Sequence, residues 1–330
     1  MLTIVIVVVL LALLFDFLNG MNDAANSIAT IVSTQVLSPR LAVLWAAFFN
    51  VAAGFGFGVN VAKTIGKGIV DIAVVNEYLI LSALIGAILW THVCTRYGLP
   101  ISVSHALIGG LAGAGLAKAG LGSLVYGSLT KVMLFIFLAP LIGMVLGFLF
   151  MVGVLWASRK LVPKKVDRSF RVGQLLSSAA YSMGHGTNDA QKTMGIIALM
   201  LYTTGYLGDE FYIPVWVMLA AYLAIGLGTY FGGWKVIRTM GMRLTHLTPV
   251  HGFCAETAGA LILFGTAIAG IPVSTTHTIA GTIMGVGSTR RLSAVRWGIA
   301  GKMVWAWVLT IPASASVAAA TYYIVQLFVP

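Results

Sequence analysis

The strongest constraint on this chain is a duplication inside apolar sequence. Around Asp23 it reads FLNGMNDAANSIAT and around Asp189 it reads SMGHGTNDAQKTMG, so that Asn22-Asp23-Ala24 meets Asn188-Asp189-Ala190. Around His105 it reads LPISVSHALIGG and around His277 IPVSTTHTIAGT, which pairs Pro100, Ser102, Ser104, His105 and Gly109 with Pro272, Ser274, Thr276, His277 and Gly281. The register holds beyond the motifs: Gly127 and Lys131 pair with Gly298 and Lys302, and Pro140 with Pro312. A chain that repeats at an offset of about 170 residues is two copies of one unit. Polar motifs repeated within hydrophobic segments are the pattern of membrane proteins built from two repeats around a central site.

Composition fixes the setting. Hydrophobic residues make up 59% of the 330 and charged residues 9%, against roughly 45–50% and 25% in soluble domains. The chain reads as a polytopic membrane protein. Leu2 to Phe15 has no basic residue before it, the first being Arg40, so it reads as the first span and not as a cleaved signal. The net charge of +11 lies mostly in short loops and is explained by membrane orientation, not by nucleic acid. Cys94 and Cys254 do not correspond between the repeats and form neither a disulfide frame nor a metal-ligand spacing.

A helical crossing needs about 20 residues, and each half contains the same series on that ruler. The first half reads as a span from Leu2 to Val36 broken at Asn19–Asn26, spans at Leu41–Asn60 and Tyr78–Thr95, a short segment Ser102–Leu116 after a proline, and a long span Lys131–Ser158. The second reads as Gly173–Tyr202 broken at Gly184–Lys192, then Ile213–Trp234, Gly252–Ala269, Ser274–Gly287 and Gly298–Gln326. The expected fold is therefore all-α and polytopic: two inverted-topology repeats with broken or re-entrant helices and about 10–12 transmembrane helical segments. The repeats occupy residues 1–158 and 173–330, joined by a basic cytoplasmic linker at 159–172. Charge supports the inversion. Placing the linker inside also places Arg40, Arg96, Lys235, Arg238, Arg243, Arg290, Arg291 and Arg296 inside, leaving Lys63, Lys67 and Lys118 outside with Asp71, Glu77, Asp209 and Glu210. Both termini are then outside.

Ionisable groups at membrane depth cost about 2.5–3.5 kcal/mol each on insertion scales, so they face a partner or a water-filled cavity. Asp23 and Asp189, flanked by Gly and Asn, read with Asn26 and Asn188 as cation ligands, because an ionised carboxylate has no proton to donate and repels an anion. The Pro-x-Ser-x-Ser/Thr-His pair asks for the opposite ligand. Pro100 and Pro272 end an extended approach, Ser102 and Ser274 suit N-caps, and the half-helix that follows offers N–H groups, a dipole end and the hydroxyls of Ser104, Thr275 and Thr276 to an anion. Two such cradles across a pseudo-two-fold axis fit a tetrahedral oxyanion. His105 and His277 read equally as helix-packing residues and as proton carriers. Glu256, aligned with Leu84, is open between a structural and a functional role, and Asp16, aligned with Ser182, reads as a structurally paired residue. Lys131 and Lys302 near helix starts suit snorkelling, and Trp297, Trp305 and Trp307 an interface and packing belt.

On these motifs, GMNDAAN and HGTNDAQK with the two P-x-S-x-S/T-H elements, the whole chain resembles the inorganic phosphate transporter (PiT) family. The resemblance implies inverted repeats, a homodimer in the cell membrane (the inner membrane in a bacterium), no cofactor, and uptake of inorganic phosphate coupled to a cation. It implies phosphate contacts at Ser102, Ser104, Ser274, Thr275, Thr276, Asn22 and Asn188, and a cation region at Asp23, Asn26, Asp189 and Lys192. If sodium is the coupling ion, Asp23, Asn26 and Asp189 are its ligands. One departure bears on coupling. Sodium-coupled members commonly have Asn three residues after the second Asp, whereas this chain has Lys192, as in the bacterial proton-coupled branch. A tethered ammonium there supplies the charge of a second sodium ion, so the expectation is proton coupling, with phosphate or a metal-phosphate complex as substrate. The alternatives are a sodium symporter, a sulfate or other oxyanion permease, and, in another class, an anion channel. An intramembrane enzyme lacks a nucleophile and a His-Glu-x-x-His pair.

Overall fold

The computed structural model describes residues 2–56 and 58–328. Its helices fall into two series of six in the same order. The first is α1 (Leu2–Ser33), α2 (Pro39–Ala52), α3 (Asn60–Gly68), α4 (Glu77–Tyr97), α5 (Val103–Ala119) and α6 (Tyr126–Ser158). The second is α7 (Pro163–Thr203), α8 (Val215–Phe231), α9 (Trp234–Met242), α10 (Pro249–Ile268), α11 (Thr275–Ser288) and α12 (Trp297–Gln326). Among the described residues, α1, α4, α6, α10 and α12 are long and apolar enough to cross a bilayer, and the bent pairs α2–α3 and α8–α9 raise the number to seven. The α7 helix, 41 residues long, carries Asp189, Gln191 and Lys192 at its middle and is too polar there to be recognised by apolarity.

The expected breaks at Asn19–Asn26 and Gly184–Lys192 are absent: α1 and α7 each run through their motif as one helix. The glycines there serve close packing. A Cβ on Gly20 would lie 2.2 Å from the Ile225 carbonyl oxygen, and one on Gly186 would lie 2.5 Å from that of Asn50. The carbonyls of these two motifs therefore stay in the helix ladder and are not freed as ligands. The sharp bends occur at the α2–α3 and α8–α9 junctions, 85° and 73° respectively. The basic linker is also shorter than its sequence suggests, since α7 begins at Pro163, whose fixed φ suits a first helical turn.

The half-helices form as their sequence dictates. Ser102 Oγ accepts from the His105 N–H at 3.2 Å and Ser274 Oγ from the His277 N–H at 3.3 Å, so both serines are N-caps. With 17 and 14 residues, and about 1.5 Å of rise each, α5 and α11 are too short to span. They meet near their N-termini, where Thr276 Oγ1 lies 2.9 Å from Ile101 O and the His105 and His277 rings are 4.9 Å apart. The last helix of each repeat packs on the other repeat's half-helix, α6 on α11 and α12 on α5. Two apolar clusters flank this polar middle. One joins the N-terminal part of α1 to α4, α5, α8 and the C-terminal part of α7, and the other joins the C-terminal part of α1 to α2, α9, α10, α11 and α12.

The tightest crossing is α1 on α8, where a Cβ on Gly228 would stand 1.9 Å from the Phe17 carbonyl oxygen. Gly228→Ala is expected to force the helices apart and to destabilise the fold by about 1–3 kcal/mol, the usual range for overpacking. Thermal unfolding in detergent should show a clear fall in midpoint. Gly153→Ala, where nothing lies within 4 Å of the new methyl, should show none.

Candidate functional site

Helical periodicity lines up the central groups. Asp23, Asn26 and Thr30 lie at i, i+3 and i+7 on α1, and His185, Asp189 and Lys192 at i, i+4 and i+7 on α7. All six are buried. The two stripes face each other, and α11 closes the gap with Thr275 and Thr276. Thr275 Oγ1 lies 2.9 Å from Asp189 Oδ2 and 3.4 Å from Asp23 Oδ2, and Thr276 Oγ1 lies 3.1 Å from Asp23 Oδ1. The Asn26 amide donates to both hydroxyls, at 3.0 Å to Thr276 and 3.3 Å to Thr275.

Lys192 holds the other side of Asp189. Its ammonium donates to Asp189 Oδ1, to Ser104 Oγ of α5 at 2.5 Å and to the Val273 carbonyl just ahead of α11 at 2.9 Å. Three oxygens from three segments around one positive charge are the donor set that a hard monovalent cation takes. Ser104 is thus engaged by Lys192, and the cluster is closed on itself, hydroxyls and ammonium bonded to carboxylates.

His185 belongs to this centre although the sequence reading passed over it. Its Nε2 stands 3.2 Å from Asp189 Oδ2 and 4.0 Å from Asp23 Oδ2. Its Nδ1 stands 3.0 Å from Asn50 Oδ1. The chain of bonds fixes direction: Thr229 Oγ1 donates to Ile225 O, so it accepts from Asn50 Nδ2, which leaves Asn50 Oδ1 to accept from the imidazole. Nδ1 therefore carries a hydrogen, and Nε2 stands beside a carboxylate oxygen without a hydrogen-bond partner of its own. The signal was present in the sequence, since His185 is one turn from Asp189 within the quoted motif. Asp23, His185 and Asp189 are also close enough to share a metal ion, their ligand atoms lying within 4.8 Å of one another.

Two expected site residues point elsewhere. Asn22 donates to Thr95 Oγ1 of α4 at 2.7 Å, and Asn188 donates to the carbonyls of Gly184 and Leu263, at 3.0 and 2.9 Å, tying α7 to α10. Their helix positions are offset by one residue from the aspartates, which turns them about 100° away. Ser102 and Ser274 are used as caps. His105 and His277 stack edge to face beneath the cluster, and His277 rests on Trp307 at 4.0 Å. Trp307 is buried and donates to Pro100 O at 2.9 Å, so it is a core residue, whereas Trp297 and Trp305 are exposed as a belt requires. Lys131 and Lys302 are exposed at helix starts.

Glu256 is the centre of a second polar cluster. Its Oε1 accepts from Thr30 at 2.6 Å and from Gln174 at 2.9 Å, and its Oε2 from Ser177 at 2.5 Å, with Thr34 bonded to Gln174 at 2.8 Å. It lies toward the basic face, where the Arg171 guanidinium bonds Gln35 O just past α1. The matching positions of the other repeat, Leu84 and Ile196, are buried core residues. Asp16, expected to be paired, has no such donors: both of its oxygens are buried without a hydrogen-bond partner.

A multi-pass helical membrane protein, with a charged and hydrogen-bonded centre enclosed by two half-helices from duplicated halves, is the class that fold and site define together. Comparison with known proteins places it within that class. The model of the phosphate transporter family matches residues 19–163 and again 156–318, once for each repeat. The chain is 56% identical to a probable low-affinity inorganic phosphate transporter of Rhizobium meliloti, over 96% of this chain and 95% of that one. It is 43% identical to one of Bacillus subtilis, over 99% and 98%. Among solved structures, that of a sodium-dependent phosphate transporter superposes with a TM-score of 0.88 at 28% identity, covering 98% of this chain and 99% of the other. The chain belongs to the phosphate transporter family.

Proposed function

We propose that this chain imports inorganic phosphate across the cell membrane by proton symport, with the two repeats rocking about the central cluster to expose it to one side at a time. The observation that carries the reading is the charge of the cluster: two carboxylates and one ammonium, with the His185 imidazole against them. Such a centre is one unit negative, and neutral once a proton joins it. It repels a phosphate anion unless a cation arrives too. The anion contacts are the N-terminal N–H groups of α5 and α11 and the hydroxyls of Thr275, Thr276 and Ser104, which exchange carboxylate partners for phosphate oxygens.

Lys192 favours the proton. Its ammonium already takes up Asp189 Oδ1, Ser104 Oγ and Val273 O, oxygens that a second sodium ion would need, and a nitrogen ligand at His185 suits a proton better than a hard cation. Sodium coupling through Asp23, Asn26 and Asp189 is the second reading, favoured by the sodium-dependent structural relative. Uptake of labelled phosphate into proteoliposomes, with pH and sodium gradients imposed separately and sulfate as competitor, is the test. An inside-alkaline gradient alone should drive accumulation, and sulfate should not compete. Accumulation driven only by sodium would reverse the choice of ion, and equal competition by sulfate would remove phosphate as the specific substrate.

A further inference from the structure

The treatment of Asp16 differs from that of every other carboxylate in the membrane region. Glu256 receives three donors and Asp189 an ammonium and the Thr275 hydroxyl, and Asp23 has two threonine hydroxyls within reach, at 3.1 and 3.4 Å. Asp16 is fully buried, and neither of its oxygens is bonded. The groups facing it are Asn19 on its own helix, Thr193, Asp189 and Lys192 on α7, and Tyr222 on α8. Lys192 is already committed to Asp189, so no cation is left for Asp16. Asn19 Oδ1 and Thr193 Oγ1 are likewise buried without partners. An ionised carboxylate here has no cation and at most the Thr193 hydroxyl and the Asn19 amide beside it, which is costly at full burial, whereas a single proton on Asp16 supplies a donor to Asn19 Oδ1.

We propose that Asp16, with Asn19 and Thr193, is a proton-holding site on the approach to the central cluster from the end of the molecule opposite the basic face. The inference rests on the proton-symport reading above. Asp16, Asn19 and Asp23 lie at i, i+3 and i+7 on one stripe of α1, so the proton's route inward follows the helix for about 10 Å. The proton comes from water at the open face, binds the carboxylate, and leaves toward Asp23 and the His185–Asp189 pair, returning Asp16 to its ionised form for the next cycle. The site has no twin, because Ser182 occupies the matching position of the second repeat. One approach to the centre therefore differs chemically from the other.

The test compares Asp16→Asn and Asp16→Glu in proteoliposomes by two rates: phosphate exchange without a gradient, and uptake driven by a pH gradient. The ratio of driven uptake to exchange is expected to fall about tenfold or more in Asp16→Asn and to recover in Asp16→Glu. An unchanged ratio in Asp16→Asn overturns the proposal, as does equal loss of both rates in both variants, which marks a structural residue. Binding of labelled sodium by the parent protein that disappears in Asp16→Asn overturns it in favour of a sodium site. Failure of the parent protein to respond to the pH gradient overturns the symport reading and this proposal together, and is recognised before any variant is made. If Asp16→Asn does not insert, the parent protein is treated with dicyclohexylcarbodiimide, which attacks protonated carboxyls in apolar surroundings. Peptide mass mapping should find the adduct on Asp16; an unmodified Asp16 beside a modified Glu256 overturns the proposal.

Discussion

Asp189→Asn is expected to reduce gradient-driven phosphate uptake by about 100-fold or more, because it breaks a buried ion pair from one side. The amide keeps the shape and still accepts from Thr275, but it leaves the Lys192 ammonium with only Ser104 Oγ and the Val273 carbonyl. Removing one partner of a buried pair costs about 3–5 kcal/mol, so the variant should also unfold at a lower temperature in detergent. The amide oxygen left facing Thr275 and His185 carries no charge and cannot take up a proton. Asp23→Asn separates these effects. Asp23 has threonine hydroxyls within reach and no ammonium bonded to it, only the His185 ring at 4.0 Å, so its amide should lose driven uptake with a smaller loss of stability. Uptake is measured per inserted molecule, and a near-parental rate in either variant would exclude that aspartate from coupling.

Lys192→Asn is the second large effect expected, and it changes which ion drives transport. The substitution restores the symmetry between the repeats, since Asn26 follows Asp23 by three residues as residue 192 follows Asp189. It withdraws the ammonium from Asp189 Oδ1, Ser104 Oγ and the Val273 carbonyl and leaves oxygens arranged for a mobile cation. Proton-driven uptake should fall by about 100-fold, in line with the loss of a buried pair, while added sodium should raise the residual rate. Lys192→Met, equally uncharged but offering no amide oxygen, should fall as far without the sodium response. A parental protein that already requires sodium would show that Lys192 does not stand in for a coupling ion.

The sequence by itself determined the parts governed by local pattern and repetition. The duplication fixed two matching series of helical segments, five to a half, to which the structure adds the short α3 and α9, and the apolar runs fixed the membrane setting. The Pro-x-Ser-x-Ser/Thr-His order fixed two half-helices capped at Ser102 and Ser274, because a cap is settled within three residues of itself. The spacing of Asp189 and Lys192 put them on one face of any continuous helix, but with a break expected at Gly184–Lys192 their pairing was settled only by the unbroken α7. Only the tertiary structure decided which remote group meets each polar side chain. The expected breaks in α1 and α7 vanish because their glycines pack against backbones of α8 and α2, contacts that no local rule foretells. Asn22 and Asn188 turn to neighbouring helices while His185 turns to the centre, although all three sit within a turn of an aspartate. Glu256 and Asp16 look alike as lone acids in apolar sequence. One is ringed by donors from two other helices and the other has none. The physical reason is one of range: helical period assigns a residue to a face, but its partners lie on helices up to some 250 residues away in sequence, and only the packing of the two repeats brings them together.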